Sequence, residues 1–387
     1  MFRLTESAAN GLQSLWRAPM FYRIFAIMFF LLAGSAVMLS AGQRMQIPAT
    51  SPQILFMGRT DHSKPDCVTF DWPGVVIDAF FTGSSVDVVI KGRARFDVYI
   101  NESHIGVIES PGTKATVPVT HGLPASGGKR LRLAKRSEST TEPISLYGFT
   151  LDSGSLLLPI PEMQKQKHKM LFIGDSYTAG FANEYSGREC SVDAADSIIF
   201  TCTNANLSFG PLAAKQFDAQ YHLLAISGKG LVRNYNGIDK GKELPAYIDR
   251  TLLTSINNGS SGYTWKNDRW KADVIVTCIG INDFQADPPY ADPETFDKAY
   301  NALIQKLRTT HPGAKIICCA TKVWPTDALI GAVKRVLTRQ LACGHKDIRY
   351  FEYSTANGAL YGHPSLDDHR NIADQLIPII REMTGWR

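Results

Sequence analysis

Four short stretches of this chain hold side chains suited to acyl transfer, each placed just after or beyond an apolar run. The first is Lys169-Met170-Leu171-Phe172-Ile173-Gly174-Asp175-Ser176-Tyr177-Thr178-Ala179-Gly180. A run short enough for a buried strand stops at a glycine, gives one acid and one serine, and continues into residues able to begin a helix. Ser176 then lies at a strand's carboxyl end, where open parallel α/β sheets have their ligand crevice, and near the positive end of a helix dipole. Its hydroxyl is a candidate nucleophile, although a serine N-cap beside an acidic neighbour gives the same local pattern. The other stretches are Ser227-Gly228-Lys229-Gly230, Gly280-Ile281-Asn282-Asp283-Phe284 and Gly362-His363-Pro364-Ser365.

Taken singly, each of these reads as a turn or a flexible loop. Together they supply a hydroxyl, an imidazole to take its proton, and donors aimed at a developing oxyanion. The donors are the N–H of Ser176, the N–H of Gly228, which no side chain obstructs, and the side-chain amide of Asn282. His311-Pro312 repeats the dipeptide of His363-Pro364 but precedes a strand-like run, so His311 reads as a helix C-cap. Position, not the dipeptide, distinguishes His363.

These residues need strands to carry them, and the second half of the chain provides a β/α alternation. Strand-like runs at Met170–Ile173, Tyr221–Ile226, Val274–Ile279, Ile316–Thr321 and Ile348–Tyr353 alternate with helical stretches at Leu207–Phe217, Leu244–Asn257, Pro293–Thr310, Asp327–Ala342 and Asp367–Met383. The pattern predicts a five-stranded parallel, flavodoxin-like sheet covered on both faces, over residues 169–387. Residues 46–155 are strand-like throughout, with runs at Val75–Phe81, Ser85–Ile90, Phe96–Ile100, Thr113–Val119, Lys129–Leu133 and Ile144–Leu151. Gly, Pro, Asn or Ser separate these runs, which predicts an antiparallel sandwich or jelly roll. Residues 156–168, with Pro159-Ile160-Pro161, form a linker.

At 387 residues the chain fits two domains plus extras, and its apolar and charged fractions, 44% and 20%, are those of a globular protein. A net charge of +5 without a block of like charges gives no nucleic-acid signal. Residues 1–45 stand apart: Arg3, Arg17 and Arg23 precede Ile24–Ala41, an uncharged apolar run about long enough to cross a bilayer. This segment predicts export, with an anchor holding the protein at the membrane or, alternatively, a cleaved signal. Seven cysteines leave at least one thiol unpaired within the chain. Cys278, Cys318 and Cys319 lie in apolar runs and read as core, whereas Cys190 and Cys202 flank a polar insertion and are candidates for a loop disulfide in an oxidising compartment. There is no Cys-x-x-Cys pair and no His-Glu-x-x-His, so neither a metal nor another cofactor is expected.

In this order, Gly-Asp-Ser, Ser-Gly-Lys-Gly, Gly-Ile-Asn-Asp and His-Pro-Ser resemble the four blocks of the SGNH (GDSL-type) hydrolases. The resemblance narrows to carbohydrate esterase family two, whose members place a jelly roll before the SGNH domain and deacetylate polysaccharides. Its further carriers are Val68-Thr69-Phe70-Asp71-Trp72-Pro73-Gly74, the Arg136-Ser137-Glu138 turn, Tyr147-Gly148-Phe149, Arg233-Asn234-Tyr235 and His363–His369. It implies Ser176 as nucleophile, His363 as general base, Gly228 and Asn282 as oxyanion donors, and an acetylated polysaccharide as substrate. SGNH enzymes generally carry an aspartate three residues before the histidine, and here that position is Leu360. Family two is known for a serine–histidine dyad with a backbone carbonyl orienting the ring, which fits this departure. Glu352 is an alternative orienter, and His369 an alternative base. Trp324, after the fourth strand, and Asp283 are candidate substrate contacts. The competing readings are a membrane-tethered O-acetyltransferase using the same residues and a polysaccharide-binding protein without activity.

Overall fold

The computed structural model of the protein describes residues 44–161, 166–256, 264–266, 268, 270–325 and 327–387. The expected membrane segment, Ile24–Ala41, lies outside them. Among the described residues no helix is long and apolar enough to cross a membrane.

Among the described residues nine antiparallel strands come first: β1 (Met45–Pro48), β2 (Leu55–Met57), β3 (Val68–Phe70), β4 (Val76–Phe81), β5 (Val86–Ile100), β6 (Ser103–Thr120), β7 (Lys129–Lys135), β8 (Ile144–Leu151) and β9 (Leu157–Leu158). The two expected strands Ser85–Ile90 and Phe96–Ile100 are one. β5 pairs with β8 over its first half and with β7 over its second, while β6 follows it along both. A register shift between Ile90 and Gly92 lets the strand change partners without ending. Pro111-Gly112, expected to separate strands, lies within β6 opposite that irregularity, where Pro111 faces Arg93. Val88, Phe96 and Val98 point into a core with Phe70, Leu133 and Phe149, all essentially inaccessible.

The second sheet is parallel: β10 (His168–Gly174), β11 (Ala219–Ala225), β12 (Val274–Cys278), β13 (Lys315–Ala320) and β14 (Ile348–Glu352), in spatial order β11-β10-β12-β13-β14. The chain leaves β10 to one side for β11 and returns to the other side for β12. That reversal opens a crevice at the carboxyl ends of β10 and its neighbours. Seven helices surround the sheet: α1 (Ser176–Ala179), α2 (Val192–Cys202), α3 (Phe209–Gln216), α4 (Ile281–Phe284), α5 (Pro293–Thr310), α6 (Ala328–Ala342) and α7 (Leu366–Thr384), counted among the described residues. Phe172 of β10 is fully buried and meets Phe209 of α3 edge to face at 6.2 Å. Burial of one such ring stabilises by about 1.5–3 kcal/mol.

Two further expectations are corrected. Over its described residues the expected helix Leu244–Asn257 is not formed: Leu244–Ala246 and Leu253–Ile256 are separate 3₁₀ turns. Nor do Cys190 and Cys202 pair; both are free thiols, and the intervening stretch is helical rather than a loop. Cys202 is the last residue of α2 and Cys190 lies two residues before its first, and a rise of ~1.5 Å per residue sets the two helix ends about 15 Å apart, beyond the ~7 Å Cα limit for a disulfide. Cys278, Cys318 and Cys319 are buried in β12 and β13, as expected.

The two sheets share one continuous apolar core. Polar bonds fasten the contact: the Trp72 indole N–H donates to the Thr251 carbonyl at 3.0 Å, and the Asp71 carboxylate accepts the Leu253 and Thr254 N–H groups, both at 2.9 Å.

Candidate active site

β10 delivers Ser176. Gly174 ends the strand where a Cβ would lie 2.0 Å from the Thr178 hydroxyl and 2.7 Å from the Cys278 carbonyl, so only glycine permits the close turn into α1. The Asp175 carboxylate accepts the Tyr177 N–H at 3.1 Å and caps α1, which lasts one turn before Gly180 stops it in a left-handed conformation. Asp175 is therefore a cap under the nucleophile candidate, and burial pushes its pKa up to about 7.

His363 reaches the same point from the loop before α7. Its Nε2 lies 2.9 Å from the Ser176 Oγ, and its Nδ1 lies 2.8 Å from the Leu360 carbonyl oxygen. A carbonyl can only accept, so Nδ1 carries the proton and Nε2 is left to accept from the serine hydroxyl. The ring is wedged between Phe181, with centroids 4.4 Å apart, and Tyr177, 5.6 Å away, whose hydroxyl donates to the Gly362 carbonyl. Burial draws the His363 pKa down to about 4, only partly opposed by the bond to Leu360.

Gly228 follows β11 with φ +76°, a conformation that favours glycine, and its carbonyl accepts the Tyr235 N–H at 2.9 Å. Asn282, on α4 after β12, is buried and donates one amide N–H to the Lys229 carbonyl at 2.9 Å. Ser176 and His363 thus meet beyond β10 and β14, and Asn282 joins the residue after Gly228 beyond β12 and β11, all past the carboxyl ends of the parallel strands.

The antiparallel region matches the family described as "Carbohydrate esterase 2 N-terminal" over residues 56–161, and residues 172–343 match the "GDSL-like Lipase/Acylhydrolase family". An acetylxylan esterase / glucomannan deacetylase of Cellvibrio japonicus (strain Ueda107) is 30% identical over 370 residues, which cover 92% of this chain and 97% of that protein. The chain belongs to carbohydrate esterase family two. This esterase is also 30% identical to the cellulase/esterase CelE of Acetivibrio thermocellus over 347 residues, 87% of the chain but only 40% of that longer protein. Among solved structures it is similar to a family two carbohydrate esterase from Clostridium thermocellum in complex with cellohexaose. The TM-score there is 0.77 at 29% identity, covering 86% of this chain and 100% of that one. A family two carbohydrate esterase from Cellvibrio japonicus gives a TM-score of 0.77 at 28% identity, with 89% and 98% covered.

The remaining candidates in the esterase sort by what they touch. Asp283 does not face the crevice: it is fully buried, and its carboxylate accepts the N–H groups of Leu231, Val232 and Arg233 at 2.8–2.9 Å. It organises the loop that continues from Gly228 rather than a substrate. Burial raises its pKa to about 6 against the pull of those three bonds. Glu352 does not orient His363, because its carboxylate is engaged at the end of β14 by Lys334 at 2.8 Å and by the Tyr350 hydroxyl at 2.7 Å. His369 is a core residue, with no exposed surface and with Nδ1 accepting the Phe209 N–H at 3.3 Å. Trp324 stands 80% exposed on the loop after β13, with its indole presented to solvent.

Sequence reasoning missed three contributors. Phe181 and Tyr177 pack on the imidazole, and Glu138 of the antiparallel region accepts the Ser227 N–H at 3.1 Å. The first two lie five and one residues after Ser176, on and just past the short helical turn, where an aromatic can be suspected. Glu138 lay in a turn already singled out for its resemblance, but nothing local tied it to a loop 89 residues away.

Proposed function

We propose that this esterase removes O-acetyl groups from a polysaccharide through a covalent acetyl-enzyme formed on Ser176. The Ser176 Oγ attacks the acetyl carbonyl while its proton passes to His363 Nε2, and the carbonyl π electrons move onto the oxyanion. The Ser176 N–H, the Gly228 N–H and the second N–H of the Asn282 amide receive that charge. Collapse expels the sugar oxygen, which takes the proton back from Nε2. Water then attacks the acetyl-serine by the same route and releases acetate. Leu360 holds the ring in place of an aspartate, making Ser176 and His363 a dyad.

The observation that carries this reading is the Oγ–Nε2 distance of 2.9 Å with Nδ1 tied to the Leu360 carbonyl. The polymer class is supported by relatives named as acetylxylan esterase / glucomannan deacetylase and by similarity to an esterase solved with cellohexaose. The deciding experiment is acetate release from acetylated xylan and acetylated glucomannan by the native protein and by Ser176→Ala. Release by both would remove Ser176 from the mechanism. We propose further that the esterase is exported and held at the membrane by Ile24–Ala41, supported by the charge-free length of that run and the arginines before it.

A further inference from the structure

The turn after β7 belongs to the antiparallel region, yet it touches both flanks of the candidate site. On the nucleophile side, the Arg136 guanidinium donates to the Thr203 carbonyl at 3.3 Å and pairs with Glu184, and its own carbonyl accepts the Ala205 N–H at 2.6 Å. On the other side, Glu138 Oε1 accepts the N–H of Ser227, the residue before Gly228.

The turn is stiff enough to act as a reference point. Lys135 has no exposed surface, and its ammonium donates to the carbonyls of Asp71 and Ser137. The Ser139 N–H donates to the same Asp71 carbonyl at 2.9 Å. Glu138 is therefore flanked on both sides by bonds to one buried backbone group.

The Gly228 N–H lies in the peptide plane between Ser227 and Gly228, and that plane turns with ψ of Ser227 and φ of Gly228. Glycine at φ +76° leaves the second of these soft. The next plane is tied down by the Tyr235 N–H on the Gly228 carbonyl. The preceding plane is held at both ends: Glu138 accepts the Ser227 N–H, and the Ile226 carbonyl accepts the Lys229 N–H at a longer 3.3 Å. Without Glu138 only that longer bond holds the preceding plane, and the Gly228 N–H can swing away from the direction an oxyanion requires. Next to this loop lies a cavity of about 340 Å³ lined by Thr140 of the antiparallel region together with Gly228, Lys229 and Tyr247. The same turn thus walls the space beside Gly228 and anchors its amide.

We infer that Glu138 is a positioning residue for the Gly228 N–H, which makes the antiparallel region a working part of the oxyanion hole. This inference rests on the reading of Ser176, Gly228 and Asn282 given above. The test is steady-state kinetics on 4-nitrophenyl acetate for the full chain carrying Glu138→Ala, Glu138→Met or Glu138→Gln, beside Ser176→Ala and Asn282→Ala. Alanine removes the acceptor, and methionine removes it while filling the same space, so a poorly folding alanine variant leaves the methionine variant to report. Both should lose roughly tenfold or more in kcat, with KM changed by less than about twofold. Glutamine, whose amide oxygen accepts the same N–H, should restore most of the loss. Alanine and methionine variants within about twofold of wild-type kcat, beside an inactive Ser176→Ala, would overturn this inference alone. So would a change confined to KM, or a glutamine variant as impaired as the alanine one. A fully active Ser176→Ala or Asn282→Ala would overturn the site reading, and this inference with it.

Discussion

The carbonyl oxygen of Leu360 lies 2.8 Å from Nδ1 of His363, three residues on, and the Leu360 side chain offers no carboxylate to the ring. The backbone of the replaced residue takes over the orienting bond of the side chain it lacks. This is feasible because residues 360–363 form a tight turn, closed by the His363 N–H on the Leu360 carbonyl at 3.1 Å, in which Tyr361 and Gly362 adopt φ +53° and +72°. The turn directs the Leu360 carbonyl toward the ring, while the Leu360 side chain is buried. A neutral acceptor fixes the same tautomer as aspartate but adds no charge to stabilise the imidazolium.

No single carboxylate should therefore be indispensable. Asp367 is exposed and pairs with Arg370, and Glu352 is held by Lys334, so Asp367→Asn and Glu352→Gln should keep activity within a few fold of wild type. His363→Ala should be inactive. Asp368 accepts the N–H groups of Ala356, Gly358 and Ser365 at 2.9–3.0 Å and props the loop before the histidine, so Asp368→Asn should lower the melting temperature more than it lowers kcat at a permissive temperature. A loss on the order of ten-thousandfold in a folded carboxylate-to-amide variant is the mark of a triad and would refute the dyad.

The pH dependence follows from the same bond. Only neutral His363 accepts the serine proton, so activity is absent while the ring is protonated and appears as pH rises through its pKa. Burial holds that pKa near about 4, and no anion opposes it. kcat/KM should rise through one ionisation well below the ~6.5 of free histidine and then stay level into mild alkali. A midpoint at or above the free-histidine value would place a negative charge beside the imidazole and contradict the geometry.

Asn282 and Asp283 are adjacent but should fail in different ways. Asn282→Ala removes the proposed oxyanion donor and its one bond to the Lys229 carbonyl, and should lower kcat about a hundredfold or more, with a much smaller change in KM and a smaller fall in melting temperature than Asp283→Ala. Asp283→Ala strands the N–H groups of Leu231, Val232 and Arg233, and each unpaired buried donor costs about 1–3 kcal/mol, so that variant should lose stability first. Circular-dichroism melts beside kinetics separate the two. Equal melting temperatures would return Asp283 to the list of substrate contacts.

How much of this was legible depended on how far each determinant extends along the chain. The five parallel strands and α5 (Pro293–Thr310) were readable to within a residue or two, because buried runs, an N-cap aspartate and a proline at N1 are all local signals. The placement of Ser176, Gly228, Asn282 and His363 beyond strand ends was readable because each follows a buried apolar run, whereas the 2.9 Å meeting of Ser176 and His363 needs the strand order as well. The union of Ser85–Ile90 with Phe96–Ile100 was not, since only the partners of β5 show that the break at Gly92 is a shift in register. Leu244–Asn257 has helical spacing, but Pro245 and the capture of the Leu253 and Thr254 amides by Asp71 divert it into two turns. Asp283 misled for a similar reason: its three partners lie some 50 residues earlier.

The N-terminal run supplies a prediction about location. If Ile24–Ala41 is a retained anchor, the full chain should stay with membranes after a carbonate wash, and a chain beginning at Gln46 should be released in soluble form. Recovery of a soluble mature protein lacking roughly the first 41 residues would identify the run as a cleaved signal.

The proposed contact of Trp324 with a sugar ring can be tested apart from the chemistry on the acetyl group. The indole is 80% exposed on the loop after β13, two strands from the nucleophile's own strand and on the same carboxyl edge of the sheet. An aromatic face left in solvent forfeits burial, which a stacked sugar ring would restore by covering the indole. Such a contact is made equally in ground and transition states, so its loss should raise KM without touching kcat. A nitrophenyl acetate molecule carries no sugar ring to lie on the indole. Trp324→Ala should therefore raise KM for acetylated xylan or glucomannan several-fold while leaving kcat/KM for the small ester unchanged. Parallel losses on both substrates would mean that the loop shapes the catalytic crevice itself, and unchanged KM on the polymers would leave the indole with no part in recognition.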